Sequence, residues 1–304
     1  MTEVPAVAGR IERRRVDGVL LLDKPMGLTS NAALQRAKRL FRAEKAGHTG
    51  TLDPLASGLL PLCFGEATKF AQSLLDARKE YVAVIRFGIG TSTGDAEGET
   101  IAEQAADFTR ADLEAALPRF LGRILQVPPR HAALKHEGRA YYEYARAGVA
   151  IPRVPREIDV GAIEIIECTP PTASLRVECG KGTYIRVLAE DLGAALGTSA
   201  HLAALRRTAS GTFTLRTAVS LEVLEGLDYE ARASLLLPVE VLVASLPRLD
   251  VDADVARALM QGRTIPGGNP MATGRHRCRA ADRFLGVVDI GGGVIRPLRM
   301  MRSE

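Results

Sequence analysis

Residues 47–60 read GHTGTLDPLASGLL: three glycines, one histidine and an Asp-Pro pair inside an otherwise small and apolar run. The reading turns on its one carboxylate, Asp53. A carboxylate resists burial unless something pairs with it. Two readings are open: a surface turn in which Asp53 bonds local amides, or a loop that holds the acid in place to react, as nucleophile or general base. The residue before a proline is pushed toward extended backbone, which gives the Asp53 side chain a defined direction. Gly47, Gly50 and Gly58 permit tight turning and close approach by a ligand.

Outward from this loop the chain alternates strands and helices. LLPLCF, 59–64, is apolar enough for a buried strand, as is GVLLL, 18–22. Thr29 or Ser30 can cap a helix through about Leu40. EATKFAQSLLDA, 66–77, reads as a helix with Phe70 and Leu74 on one face, and KEYVAVIRFG, 79–88, alternates like a strand before a polar, Gly-rich loop. Thr109-x-x-Asp112 is a capping box for a helix through Phe120. Residues 157–168 and 173–179 read as two strands joined by a Pro-Pro turn, and GKGTYIRVLAEDLGAALG runs into a helix. The expectation is an α+β domain over 18–245, preceded by a basic, loose extension over 1–17. After Ser245-Leu-Pro the pattern changes to short strands and turns, a small β-rich module over 246–304.

Composition is that of an ordinary globular chain: 46% hydrophobic and 25% charged over 304 residues, which excludes disorder. Net charge is +4 and the pI about 9.0. Distribution says more than the total. Arg130, Lys135, Arg139, Arg146, Arg153 and Arg156 crowd one segment, and seven arginines from Arg275 to Arg302 crowd another. Two separated basic surfaces suit a long anionic ligand; solvated charged faces are the other reading. The four cysteines form no C-x-x-C pair and no zinc spacing, so free thiols in a reducing cytosol are expected. No apolar run has the length of a membrane helix and the N-terminus lacks a signal-peptide core, so a cytoplasmic protein is expected.

Three nucleotide-handling patterns fail. Lys181 in GKGT is followed by Gly182, where a P-loop needs Ser or Thr, and GIGTSTG at 88–94 has Thr93 where a dinucleotide fingerprint needs its last glycine. The loop at 50–59 also looks like the start of an HxGH nucleotidyltransferase. The two histidines that would stabilise the phosphoryl transition state there are Ala56 and Leu59, which cannot donate. The second chemistry-bearing stretch is Lys181-Gly-Thr-Tyr-Ile-Arg186. On an extended segment Tyr184 and Arg186 would share a face, and Arg186 could hold Asp53 ionised through a bidentate hydrogen bond. A surface ion pair elsewhere is the alternative for Arg186. Tyr81 could stack on a base or pack in the core.

Together, GVLLLDKPMGLTSN, AGHTGTLDPLASGLLPLCFGEATKF, KEYVAVIRFG, PPRHAALKHEGRAYYEYAR, CGKGTYIRVLAEDLG and AHLAALRR resemble, in order, the motifs of the TruB-type tRNA pseudouridine-55 synthases over about residues 17–245. The resemblance implies a mixed-sheet pseudouridine synthase domain followed by a PUA-like RNA-binding domain. It implies isomerisation of one uridine in the T loop of tRNA, without a cofactor or metal. Asp53 resembles the catalytic aspartate, Tyr81 the tyrosine that packs on the flipped uracil, and Arg186 the partner of the aspartate. Tyr184 and Leu205 resemble pocket lining, and His48 the histidine that fills the space left by the flipped nucleotide. Residues 129–157 resemble an arm that clamps the T arm of tRNA. One departure is visible: His131-Ala132 stands where the family carries Tyr-Ser. No protein partner is evident and a monomer is expected. The competing expectation is a non-catalytic tRNA-binding or folding protein.

Overall fold

The computed structural model describes residues 12–132, 134–267 and 273–302. Most of the basic extension expected over 1–17 lies outside the described residues. Of residues 12–17 only Val16 is buried; Arg14 bonds the backbone of Arg42 and Glu44, and its guanidinium lies 4.8 Å from the Tyr229 ring centre.

The main sheet is built from β1 (Gly18–Lys24), β2 (Ala56–Phe64), β3 (Lys79–Phe87), β4 (Gly122–Gln126), β5 (Arg156–Thr169), β6 (Thr172–Cys179), β7 (Ala200–Ser210) and β8 (Val219–Ser220). Its spatial order is β8-β1-β2-β7-β3-β6-β5-β4. The β8–β1 and β2–β7 pairs are parallel and the others antiparallel, so the sheet is mixed, as expected. The short strand Ala46–His48 pairs with β2. The β2 run is apolar on both faces because both are covered. Leu60, Leu62 and Phe64 pack with helix α1 (Ser30–Leu40), whereas Leu59 and Cys63 pack on the opposite side with Phe70, Leu74 and Leu242. Thr29 caps α1 by accepting from the Ala32 N–H. The other half of the sheet, β3, β5 and β6, packs against helix α2 (Ile185–Ala195). The sheet thus carries two half-cores. Tyr81 and Leu205, at the middle strands, are packed against both.

Two expected helices are shorter than their patterns. Residues 66–77 form a 3-10 turn, Gly65–Lys69, then a separate helix, Ala71–Asp76. Phe70 sits at the break, its ring 5.5 Å from Phe284. The capping box at Thr109 forms, but the helix Arg110–Ala116 passes into a 3-10 turn at Leu117, next to Pro118. A second sheet, made of Arg248–Asp250, Gly274–Ala280, Arg283–Gly291, Val294–Met300 and Ile265–Pro266, forms a β-rich C-terminal domain with its own core around Leu259, Val288 and Ile295. It docks through Val287, Phe284 and Met301 onto Val239 and Leu242, and through Glu240, which pairs with Arg277 at 3.5 Å and with Arg279. Two of the seven arginines counted as a basic surface are therefore spent inside the molecule. Among the described residues no helix is long and apolar enough to cross a membrane.

Candidate active site

The loop opposite the centre of the sheet connects Ala46–His48 to β2. Its shape is fixed from three sides. Ser30 accepts from the Leu52 N–H at 2.7 Å and donates to the Leu52 carbonyl at 3.0 Å, tying the loop to the start of α1. Gly27 N–H donates to the Pro54 carbonyl, and Ala56 N–H closes a turn on the Asp53 carbonyl. At Gly58 φ is +102°, and a Cβ there would stand 2.3 Å from the Arg207 carbonyl oxygen, so only glycine lets β2 approach β7.

Asp53 opens into a cavity of about 450 Å³. Tyr81, Tyr184, Arg186 and Leu205 line it too, so five of the six residues singled out in the sequence converge there. His48 does not line it. It sits half-buried beside the loop on the short strand, in register with Leu62. Among the described residues its buried Nδ1 has no hydrogen-bond partner, and burial holds its pKa below the ordinary histidine value.

Arg186 organises the site. Its side chain is 6% exposed, and Nη2 lies 3.0 Å from Asp53 Oδ2. The expected bidentate pair is not what forms: Nε lies 3.5 Å from Asp95 Oδ2, so the fork is divided between two carboxylates. Nη1 donates to the Thr93 carbonyl at 3.1 Å and Nη2 also to the His131 carbonyl at 3.2 Å. The two acids are in different surroundings. Asp95 is 5% exposed, held by Thr93 Oγ1 at 2.5 Å and Glu97 N–H at 3.2 Å, and Asp53 is 42% exposed. A buried guanidinium needs partners; Asp95 anchors it, and it presents Asp53 to the cavity.

Tyr184 and Arg186 do not share an extended segment. Tyr184 is extended and precedes α2, whereas Arg186 is already in its first turn. The Tyr184 backbone is clamped by the buried Gln126 side chain, which accepts from its N–H at 2.8 Å and donates to its carbonyl at 3.1 Å. Burial pushes the phenols of Tyr81 and Tyr184 up, and nearby arginines, Arg207 and Arg186 respectively, pull them back. The site therefore combines aromatic and aliphatic walls with one accessible carboxylate, held by a cation. That suits a flat ring set against a nucleophile or base. Among the described residues no group of three His, Cys, Asp or Glu could hold a metal.

Asp95, Gln126, Lys79 and Arg207 belong to the site's surroundings and were not singled out in the sequence. The stretch around Asp95 offered a signal, an acid in a loop dense in Thr and Gly, but nothing that tied it to Arg186. His131, the visible departure in the arm, meets Arg186 through its backbone carbonyl, a contact that the side-chain change leaves intact.

Profiles described as TruB family pseudouridylate synthase (N terminal domain) and tRNA pseudouridylate synthase B C-terminal domain match residues 38–185 and 186–244. A protein named tRNA pseudouridine synthase B from Thiobacillus denitrificans is 53% identical over 294 residues, 96% of this chain and 98% of its own length. One of the same name from Ralstonia nicotianae is 52% identical over 312 residues, 99% of each. Among solved structures, a chain of a Cbf5-Nop10-Gar1 complex superposes with a TM-score of 0.72 at 28% identity, covering 94% of this chain and 85% of that one. A chain of an H/ACA RNP bound to a substrate RNA containing 2'-deoxyuridine superposes with a TM-score of 0.70 at 26% identity, over 94% of this chain and 85% of that one. Whole-length relatives at half identity and the two profile matches, laid over a mixed sheet with this cavity at its centre, lead to one statement: the chain belongs to the TruB family of pseudouridylate synthases.

Proposed function

We propose that the protein isomerises uridine 55 in the T loop of tRNA to pseudouridine, with Asp53 as the catalytic residue. One observation carries the reading: among the described residues the one carboxylate that lines the central cavity is Asp53, and a buried arginine holds it there. The names of the relatives supply the substrate class. The reacting N1–C1' bond is inaccessible inside the base stack, so the nucleotide must flip out. The N1–C1' bond breaks, the uracil turns, and C5 bonds C1' in its place; C5 gives up its proton and N1 gains one, so no redox step is needed and none requires a cofactor. Tyr81 packs on the uracil, with Tyr184 and Leu205 as further lining. Arg186, 3.0 Å from its carboxylate, holds Asp53 aimed. His48, beside the loop and with an unpartnered ring nitrogen, fills the space that the flipped base leaves. Residues 129–157 close over the T arm, and the β-rich C-terminal domain acts as a PUA-like RNA contact. The protein works as a monomer in the cytoplasm, without a protein partner.

The test is single-turnover pseudouridine formation in Asp53→Asn at saturating enzyme, with RNA affinity measured separately. Asn keeps the shape and the turn hydrogen bonds but not the charge. Turnover should fall by on the order of 10²–10⁴-fold or more, with affinity unchanged. A near-normal rate would leave a non-catalytic tRNA-binding protein as the better reading.

A further inference from the structure

Arg207, in β7, is 1% exposed. Among the described residues no carboxylate lies within ion-pair distance of it. Burying a cation without a counter-ion is costly, so the partners it does have need accounting for. Its Nε donates to the Leu59 carbonyl at 2.7 Å and its Nη2 to the Gly50 carbonyl at 3.3 Å. These carbonyls flank Asp53 in the chain: Gly50 begins the loop and Leu59 lies inside β2. One planar guanidinium thus pins both ends of the segment that carries the acid. Arg207 also stands directly across the sheet from Tyr81, in register. Directly opposed residues project from the same face, and both line the cavity with Asp53.

We propose that Arg207 is a positioning residue for the isomerisation, fixing where the Asp53 loop sits on the sheet and supplying the positive charge that Tyr81 faces. The proposal rests on the reading of the site given above. Three charged or titratable groups on the packed elements face the Tyr81 phenol: Arg207 on β7, Cys179 on β6 and Asp53 on the loop. Burial pushes the Cys179 thiol up to about 11, so it is neutral at physiological pH. Asp53 works against ionisation of the phenol, which leaves Arg207 as the main group favouring it.

The experiment compares Arg207→Lys and Arg207→Met with the wild type. Three properties are measured: single-turnover pseudouridine formation, affinity for a T-arm hairpin, and the ionisation of Tyr81, taken as the difference titration between each protein and its Tyr81→Phe counterpart. Lysine keeps the charge but cannot span two carbonyls as a fork does, so the rate should fall about 10- to 100-fold while the phenol titrates as in the wild type. Methionine removes both, so the rate should fall further and the phenol should ionise at higher pH than in the wild type. Hairpin affinity should stay within about twofold in both, because Arg207 is placed to act on the loop and the phenol. A wild-type rate in Arg207→Lys would overturn the proposal, as would an unmoved Tyr81 titration in a folded Arg207→Met. Parallel loss of melting temperature and affinity, with the rate at saturation unchanged, would reduce Arg207 to a structural residue and also overturn it. If Arg207→Met does not fold, the rate of Arg207→Lys decides. If the wild type forms no pseudouridine, the reading of the site fails instead, and the Tyr81 titration still tests the placement of Arg207.

Discussion

Arg186 and Arg296 are the same side chain in opposite surroundings. Arg186 is buried, and each face of its guanidinium fork meets a carboxylate or a backbone carbonyl. Arg296 lies exposed on the C-terminal sheet, as do Arg275 and Arg299, and among the described residues no ion pair holds any of the three. Arg277 and Arg279, between them in sequence, turn inward to Glu240. Charge counted along the chain treats these residues alike. In the fold, buried cations fix geometry, where a small displacement is costly. Exposed ones contribute a diffuse field that salt screens. The two kinds should therefore fail in different ways when changed.

After Asp53 itself, the largest effect is expected at Asp95. Asp95→Asn keeps the hydrogen-bonding shape but removes the buried charge that holds Arg186 from behind. Breaking a buried pair by removing one partner costs about 3–5 kcal/mol; with Asp53 and two carbonyls still on Arg186, the loss should sit at or below the lower end. Single-turnover rate should fall about 100-fold, since Arg186 and Asp53 lose their fixed position. Affinity for tRNA should not move, because the Asp95 side chain is 5% exposed. A rate within twofold of wild type would show that Asp53 alone suffices to place Arg186, and the contrast between buried and exposed cations would lose its sharpest case.

Lys79 offers a second test on the buried side, smaller and dependent on pH. It lines the cavity, is buried, and donates to the carbonyls of Leu75 and Ala77 at the end of a short helix. Burial lowers its pKa from 10.5 to about 8. Between these two values the folded chain binds fewer protons than the unfolded one, so raising the pH stabilises the fold. Below about 8 the lysine is charged in both states and the burial cost stands in full. Lys79→Met has nothing to titrate. Urea unfolding of both proteins at neutral pH and near pH 10.5 should show wild type gaining on the variant by on the order of 2–3 kcal/mol as pH rises. An equal gap at both pH values would mean that Lys79 is as well solvated as an exposed lysine.

Much of this was legible in the sequence, for physical reasons that differ from residue to residue. The strands were, because their apolar runs and alternation are local. Asp53 was, because an acid before proline among glycines is unusual chemistry in an apolar run. Asp95 was not, since its meaning comes from Arg186, far along the chain, and its own loop shows only polarity. Arg207 was hidden within LRR on a strand, where alternation gives no sign that the arginine points into the molecule. The break at Phe70 was invisible for a similar reason: its ring packs against Phe284 of the C-terminal domain, and tertiary packing overrides the helical pattern of 66–77. Resemblance supplied what periodicity could not, by naming Leu205 and His48. It did not tell that His48 stands beside the cavity rather than in its wall.

On the exposed side the expected change is the smallest. Arg296→Gln removes one charge from the C-terminal sheet and leaves the domain interface at Glu240 untouched. If that face contacts phosphate, the loss should be uniform across RNA sequences, about fivefold in affinity, and the slope of log affinity against log salt should flatten by roughly one. The rate at saturating enzyme should equal wild type, because a phosphate contact positions RNA without entering the cavity. Binding to an isolated T-arm hairpin provides the internal control: if the C-terminal sheet grips a part of tRNA outside that arm, Arg296→Gln should bind the hairpin as wild type does while binding whole tRNA more weakly. Equal loss on both RNAs would place Arg296 against the T arm itself. No loss on either, with an unchanged salt slope, would show that exposure and positive charge on this sheet do not make an RNA contact, and that the useful arginines of this chain are the buried ones.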